Sequence, residues 1–198
     1  VIKIDNNRYG IVIVDISGHG SSAAIVMSVI SFVVHSVIER VKDTAELVTI
    51  LNNHIFERLG GEKYATGIFL IYDTKKEVFQ YTNAGHCAIL VYNKKQDKII
   101  ELSKGGAPVG VMENLRYEKE TFKFNKGDIV LLETDGVYET MNENDKLFTM
   151  ERVKQLLLNY KDKRVKEINQ YILMDIAKFR GQVHQNDDIT LVSLKKEE

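Results

Sequence analysis

Asp15, Asp135 and the pair Asp187 and Asp188 each stand where an apolar run meets a turn, in "GIVIVDISGHG", "DIVLLETDG" and "NDDITLV". Each run reads as a buried strand, so these carboxylates fall at strand ends. Strands of one sheet are expected to bring them together, although Asp15 is far from the others along the chain. Carboxylates gathered in one place repel one another and resist ionisation unless a cation neutralises them. Oxygen donors with no thiolate beside them are hard ligands, suited to magnesium or manganese. Two such ions, about 3.5–4 Å apart, share a water, lower its pKa toward neutrality and clamp phosphoryl oxygens. The chemistry to expect is phosphate-ester hydrolysis. Taken singly, a strand-terminal aspartate is more often a turn former or helix cap, because its side chain bonds local backbone N–H groups. It is the recurrence that argues for a site.

The turn after Asp15 fits the same chemistry. Gly18 and Gly20 remove side chains where an anion must approach, and the helix that follows presents its first N–H groups there. The turn is not a phosphate-binding loop of the GxxxxGK[ST] kind, since no lysine closes it. His19, between the two glycines, is expected to stabilise the turn by hydrogen bonding, with general-acid service as the sharper alternative. His86, in "NAGH", is expected to order a turn between strands, and His35, His54 and His184 have no motif around them.

The elements that must position these residues are legible in outline. "VIKI" and "YGIVIVDI" flank "DNNR" and predict a hairpin; "SSAAIVMSVISFVVHSVI" predicts a helix covered on more than one side; "DTAELVTILNNHIFERLG" predicts a second helix, capped by Asp43 and stopped by Gly60 and Gly61. The runs "YATGIFLIYD", "EVFQYTNAG", "CAILVYN" and "KIIEL" predict an antiparallel meander. After the loop "SKGGAPVGV", which reads as mainly architectural, come a half-exposed strand in "RYEKETFKF" and the buried one before Asp135. Residues 149–180 carry two helical patterns, and the acidic pair opens a last strand. Strand runs with segregated helices indicate α+β, two packed sheets flanked by helices.

Composition bounds the rest. The chain has 198 residues with 27 basic and 28 acidic side chains, a net charge of −1, so no basic field points to nucleic acid. A single domain is expected over residues 1–198. The single cysteine, Cys87, cannot form an internal disulfide and is expected to be a small buried thiol, consistent with a reducing, cytoplasmic setting. Residues 21–38 lack formal charge, but five serines and a histidine interrupt them, so no membrane contact is expected. The lysines from Lys154 to Lys166 read as a solvated helical face.

Together "VDISGHGSSAAIVM", "YTNAGH", "GGAPVGV", "GDIVLLETDGVYE" and "NDDITLV" resemble, in order and spacing, the metal-dependent protein phosphatases of the PPM class, in the branch of the SpoIIE and RsbU phosphatases. The resemblance covers almost the whole chain. It implies an αββα sandwich with a binuclear manganese or magnesium site, and hydrolysis of phosphoserine or phosphothreonine by direct attack of water. It implies as substrate a STAS-type anti-sigma-factor antagonist of a bacterial partner-switching pathway. Carried over by position, Asp15 is the carboxylate that bridges both metals, Ile16 adds a backbone carbonyl, Asp135 and Asp187 serve the second ion, and Asp188 is an outer or additional ligand. Gly136 lets the backbone pass close by. Relatives are regulated through the helices after the first metal motif, so residues 21–59 are the expected switch or homodimer surface. Members normally carry a "GGD"-type segment before the first hairpin, whose aspartate helps hold one metal. Residues 1–198 lack it, so an impaired metal site is expected, in a domain cut from a longer protein with a sensor upstream. The alternative is a non-catalytic signalling or binding module with an incomplete metal site; a phosphatase for small phosphoesters is a further one.

Overall fold

Apolar runs between turn formers become strands here, and apolar residues recurring every three or four positions become helices. The computed structural model of the chain describes residues 1–18 and 20–197. Its elements run β1 (Ile2–Lys3), β2 (Arg8–Ile16), α1 (Ser21–Val37), α2 (Thr44–Leu59), β3 (Ala65–Asp73), β4 (Val78–Ala84), β5 (Ile89–Asn93), β6 (Lys98–Leu102), β7 (Glu120–Lys123), β8 (Ile129–Glu133), α3 (Met150–Tyr160), α4 (Val165–Arg180) and β9 (Leu191–Lys195). The chain divides into two compact units, Val1–His86 with Lys104–Phe124, and Cys87–Ser103 with Asn125–Glu198.

The first unit holds an antiparallel sheet in the order β1-β2-β3-β4-β7. Against it lie α1, through Val26, Ile30, Val33 and Val34, and α2, through Leu47, Val48, Leu51 and Ile55, around Phe69 and Ile71 of β3. Asp43 caps α2 by accepting the Glu46 N–H at 2.9 Å, and Gly60 ends it in the left-handed region at φ 59°. The helix α1 departs from expectation. Its buried residues form one stripe, while Ile25, Met27 and Phe32 are exposed, Phe32 by 72%. A segment without formal charge need not be covered all round; here serines and surface apolar side chains share the outer face.

The second unit holds an antiparallel sheet in the order β6-β5-β8-β9. Its core joins Leu90, Ile129 and Leu131 of the sheet to Val153 and Leu157 of α3 and to Ile168, Ile172 and Ile176 of α4. Lys154 and Lys161, expected on a solvated face, are instead mostly covered and paired with Glu101 and Asp97.

Three further expectations are corrected. The meander does not continue past β4, because β4 pairs with β3 and β7 while β5 pairs with β6 and β8. The break falls at Gly85, whose φ of 71° turns the chain out of the strand. The aspartates do not share one sheet: β2 belongs to the five-stranded sheet, β8 and β9 to the four-stranded one. The acidic pair does not open the last strand, which begins at Leu191. Cys87 is half-buried, and its thiol donates to the Glu133 carbonyl at 2.7 Å. No helix among the described residues is long and apolar enough to cross a membrane.

Candidate metal centre

In the first unit, β2 carries Asp15 one residue from its end, opposite Thr66 of β3, and Ile16 opposite Ala65. Thr66 in turn shares a hydrogen bond of 2.9 Å between its hydroxyl and His86 Nδ1. The histidine is held by Asn83, whose Oδ1 accepts the His86 N–H at 2.8 Å and whose Nδ2 donates to the His86 carbonyl at 3.0 Å. Beyond Ile16 the chain leaves the sheet through Ser17, which exchanges two hydrogen bonds with Tyr64. Gly18 and Gly20 then take φ values of 85° and 80°, a region in which a Cβ is strained. Gly20 precedes α1 without a capping side chain, and the first turn of α1 has no acidic residue. A Cβ placed on Gly18 would lie 3.2 Å from Lys63 Nζ, which brings an ammonium group to this turn. His19, with the roles expected of it, lies outside the described residues.

In the second unit, β8 and β9 pair up to Glu133 opposite Leu191, and the two chains stay together beyond their strands. Thr134 is the fastening. Its hydroxyl donates to the Asp188 carbonyl at 3.0 Å and accepts the Thr190 N–H at 3.0 Å, and its own N–H donates to the Thr190 carbonyl at 3.2 Å. Asp135 and Asp187 are thereby brought side by side. Gly136 permits the approach, since a Cβ there would stand 2.4 Å from the Asp188 carbonyl oxygen. Asp187 Oδ1 accepts the Asp188 N–H at 2.7 Å, and its carbonyl accepts from Gln185 Nε2 at 2.8 Å. One residue before Thr134, burial pushes the Glu133 carboxyl up to about 8.

Within the second unit, one carboxylate oxygen of Asp135 and one of Asp187 lie within 4.8 Å of each other; Asp188 is not in this group. Asp15 and Asp135 are half-buried and Asp187 is exposed. Asp135 Oδ1 is buried and has no hydrogen-bond partner among the described residues. A buried carboxylate oxygen left without a donor is costly, and a hard cation is the partner that an all-oxygen donor set suits. The residues present therefore fit a divalent metal. Two groups were not found from sequence. Lys63, beside Gly18, carries no motif. Arg180 and His184 lie in a helix end and a loop of ordinary composition, and they line a cavity that includes Gly136 and Asp187. Only proximity in the fold singles them out.

Residues 5–197 match the family described as Stage II sporulation protein E (SpoIIE). Over 193 residues the chain is 26% identical to the phosphoserine phosphatase RsbU of Bacillus subtilis (strain 168), an alignment that covers 97% of this chain and 57% of that protein. The chain thus spans little more than half the length of that curated relative. Among solved structures it is similar to the SiaA-PP2C domain of Pseudomonas aeruginosa, with a TM-score of 0.84 and 19% identity, covering 98% of this chain and 78% of that one. It is also similar to RsbX in complex with magnesium, with a TM-score of 0.72 and 17% identity over 96% of this chain and 81% of that one. At such identities the likeness is one of fold: among the described residues, two antiparallel sheets and four helices in the α+β arrangement of PP2C domains.

Proposed function

The chain belongs to the SpoIIE family, and from that membership we propose that it is a metal-dependent phosphoprotein phosphatase acting on phosphoserine or phosphothreonine. The observation that carries the reading is the approach of Asp135 and Asp187, one carboxylate oxygen of each within 4.8 Å of the other, with Asp135 Oδ1 buried and without a hydrogen-bond partner among the described residues. In this reading Asp15, Asp135 and Asp187 hold manganese or magnesium, with the Ile16 carbonyl and Asp188 as further contacts. When bound, such ions supply Lewis-acid polarisation of phosphoryl oxygens and acidify water near neutrality. The naming of RsbU as a phosphoserine phosphatase and the magnesium in RsbX support this assignment.

The chain's own residues have separate tasks. Thr134 holds the Asp135 turn against the Asp188 carbonyl, so the carboxylates are in place before substrate arrives. Gly18 and Gly20 leave room for the phosphoryl group, and the uncapped first N–H groups of α1 face an anion favourably. The Lys63 ammonium offers positive charge to phosphoryl oxygens at the same turn. His86 keeps Thr66, the cross-strand neighbour of Asp15, in place.

Within this reading the substrate is a phosphorylated STAS-type antagonist protein, dephosphorylated in the cytoplasm. A second copy of the chain docks through residues 21–59; the exposure of Ile25, Met27 and Phe32 on α1 supports it. The deciding experiment is manganese-dependent release of phosphate from a phosphoserine antagonist. Asp135→Asn is expected to lower it by at least about a hundred-fold, the scale of losing an electrostatic catalytic group. Activity retained in that variant would overturn the reading.

A further inference from the structure

In the second unit a cavity of about 250 Å³ opens beside the candidate metal residues, with Gly136 and Asp187 in its wall. Arg180, the last residue of α4, and His184 line it as well. We propose that this cavity receives the substrate side chain adjacent to the phosphorylated residue, and that Arg180 recognises a hydrogen-bond-accepting oxygen on it, amide or carboxylate. The proposal rests on the phosphatase reading, since it takes the phosphoryl group to lie at the aspartates.

Size, chemistry and place argue for it together. The volume suits one amino-acid side chain, not a folded partner. Met141 and Leu147, 40% and 44% exposed, lend the wall apolar surface on which an aliphatic stem packs. The guanidinium of Arg180 is only partly used. One terminal nitrogen donates to Gln185 Oε1 at 2.8 Å, whereas Nε is buried with no partner among the described residues. A planar fork of fixed donors with one buried N–H unmet calls for an acceptor. A positive charge at the end of a helix is ordinary on dipole grounds, but that role is met by an exposed head group and leaves the buried Nε unexplained. Glu139 also lines the cavity and opposes a carboxylate, so an amide and an acid are distinguished by experiment. The link from Arg180 through Gln185 to the Asp187 carbonyl ties this recognition to the backbone of a candidate metal ligand.

The test uses peptides carrying a non-hydrolysable phosphonate in place of phosphoserine, identical except for Glu, Gln or Leu at the neighbouring position, on each side in turn. They are titrated calorimetrically into the chain with manganese and into Arg180→Met. On one side the Glu or the Gln peptide is expected to bind about ten-fold more tightly than the Leu peptide, and Arg180→Met is expected to level them. Glu above Gln assigns a carboxylate, and Gln above Glu an amide. Should Arg180→Met not fold, Leu147→Ser at the exposed rim replaces it and is expected to weaken all the peptides several-fold. Equal binding of the peptides to the unmodified chain, a preference that survives Arg180→Met, or unchanged binding in Leu147→Ser overturns the proposal. Manganese-dependent hydrolysis of p-nitrophenyl phosphate, which has no neighbouring residue, is measured in parallel. Its absence alongside an intact peptide preference sinks the phosphatase reading and leaves the cavity; its presence without a preference sinks the cavity alone.

Discussion

Thr134 carries more of the candidate centre than its type suggests. With one hydroxyl it binds both a carbonyl and an amide of the opposite chain, and so fixes the approach of the Asp135 turn to the Asp187 segment. Gly136 makes that approach possible. Gly136→Ala sets a Cβ 2.4 Å from a backbone carbonyl, which has no flexible end to yield. The substitution is expected to cost about 1–3 kcal/mol in urea unfolding and to weaken manganese binding, because the Asp187 segment must move. Unchanged stability would mean that the two chains part easily. The aspartates were legible in the sequence because strand ends with carboxylates recur. Thr134, Lys63 and Arg180 were not, since a threonine, a lysine and a helix-end arginine are common everywhere and gain meaning only from their neighbours in space.

Among the elements, α2 is the one whose limits follow most directly from local chemistry. Burial alone would raise the Asp43 carboxyl, but the Lys119 ammonium at 2.7 Å and the Glu46 N–H outweigh it and hold the group below its ordinary 3.8. A carboxylate lowered in the folded state adds stability that is full above its unfolded value and is lost as pH falls through the folded one. Asp43→Ala is therefore expected to cost about 1–2 kcal/mol at neutral pH, through the lost cap and ion pair. It should also flatten the acid limb of the stability profile, read from thermal unfolding between neutral pH and the carboxylate range. On the inner side of α2 the buried Asn52 accepts the Gly110 N–H at 2.8 Å and donates to the Met112 carbonyl at 3.0 Å. The glycine-rich loop is thereby pinned to a helix, a role in keeping with the architectural reading. The neighbouring α1 has the opposite character, with apolar side chains on its outer face. Under the proposed dimer, Phe32→Ser is expected to shift the sedimentation of the chain from two copies toward one while leaving its unfolding temperature within a few degrees. A monomer at all concentrations before substitution would reject that docking.

At the scale of the whole molecule, the first unit is not continuous in sequence: Lys104–Phe124 returns to it, and β7 completes its sheet against β4, stacking Phe122 on Phe79 at a centroid distance of 5.2 Å. A cation that binds the folded chain and not the unfolded one stabilises it by mass action, about 2.7 kcal/mol at a hundred times its dissociation constant. Manganese is expected to raise the unfolding temperature accordingly, a chelator to reverse the rise, and Asp135→Asn to remove most of it. No shift in the unmodified chain would count against a metal held by these carboxylates. The sequence alone determined the family and the element types, because motif order, apolar periodicity, caps and turn glycines are local or linear properties that need no knowledge of what lies across the fold. Only the tertiary structure decided which strands pair, that β4 and β5 part company at Gly85, that α1 is covered along a single stripe, and which side chains gather around the aspartates. Those outcomes depend on packing and hydrogen bonding between segments distant in sequence, for which a single chain of letters carries no local signature.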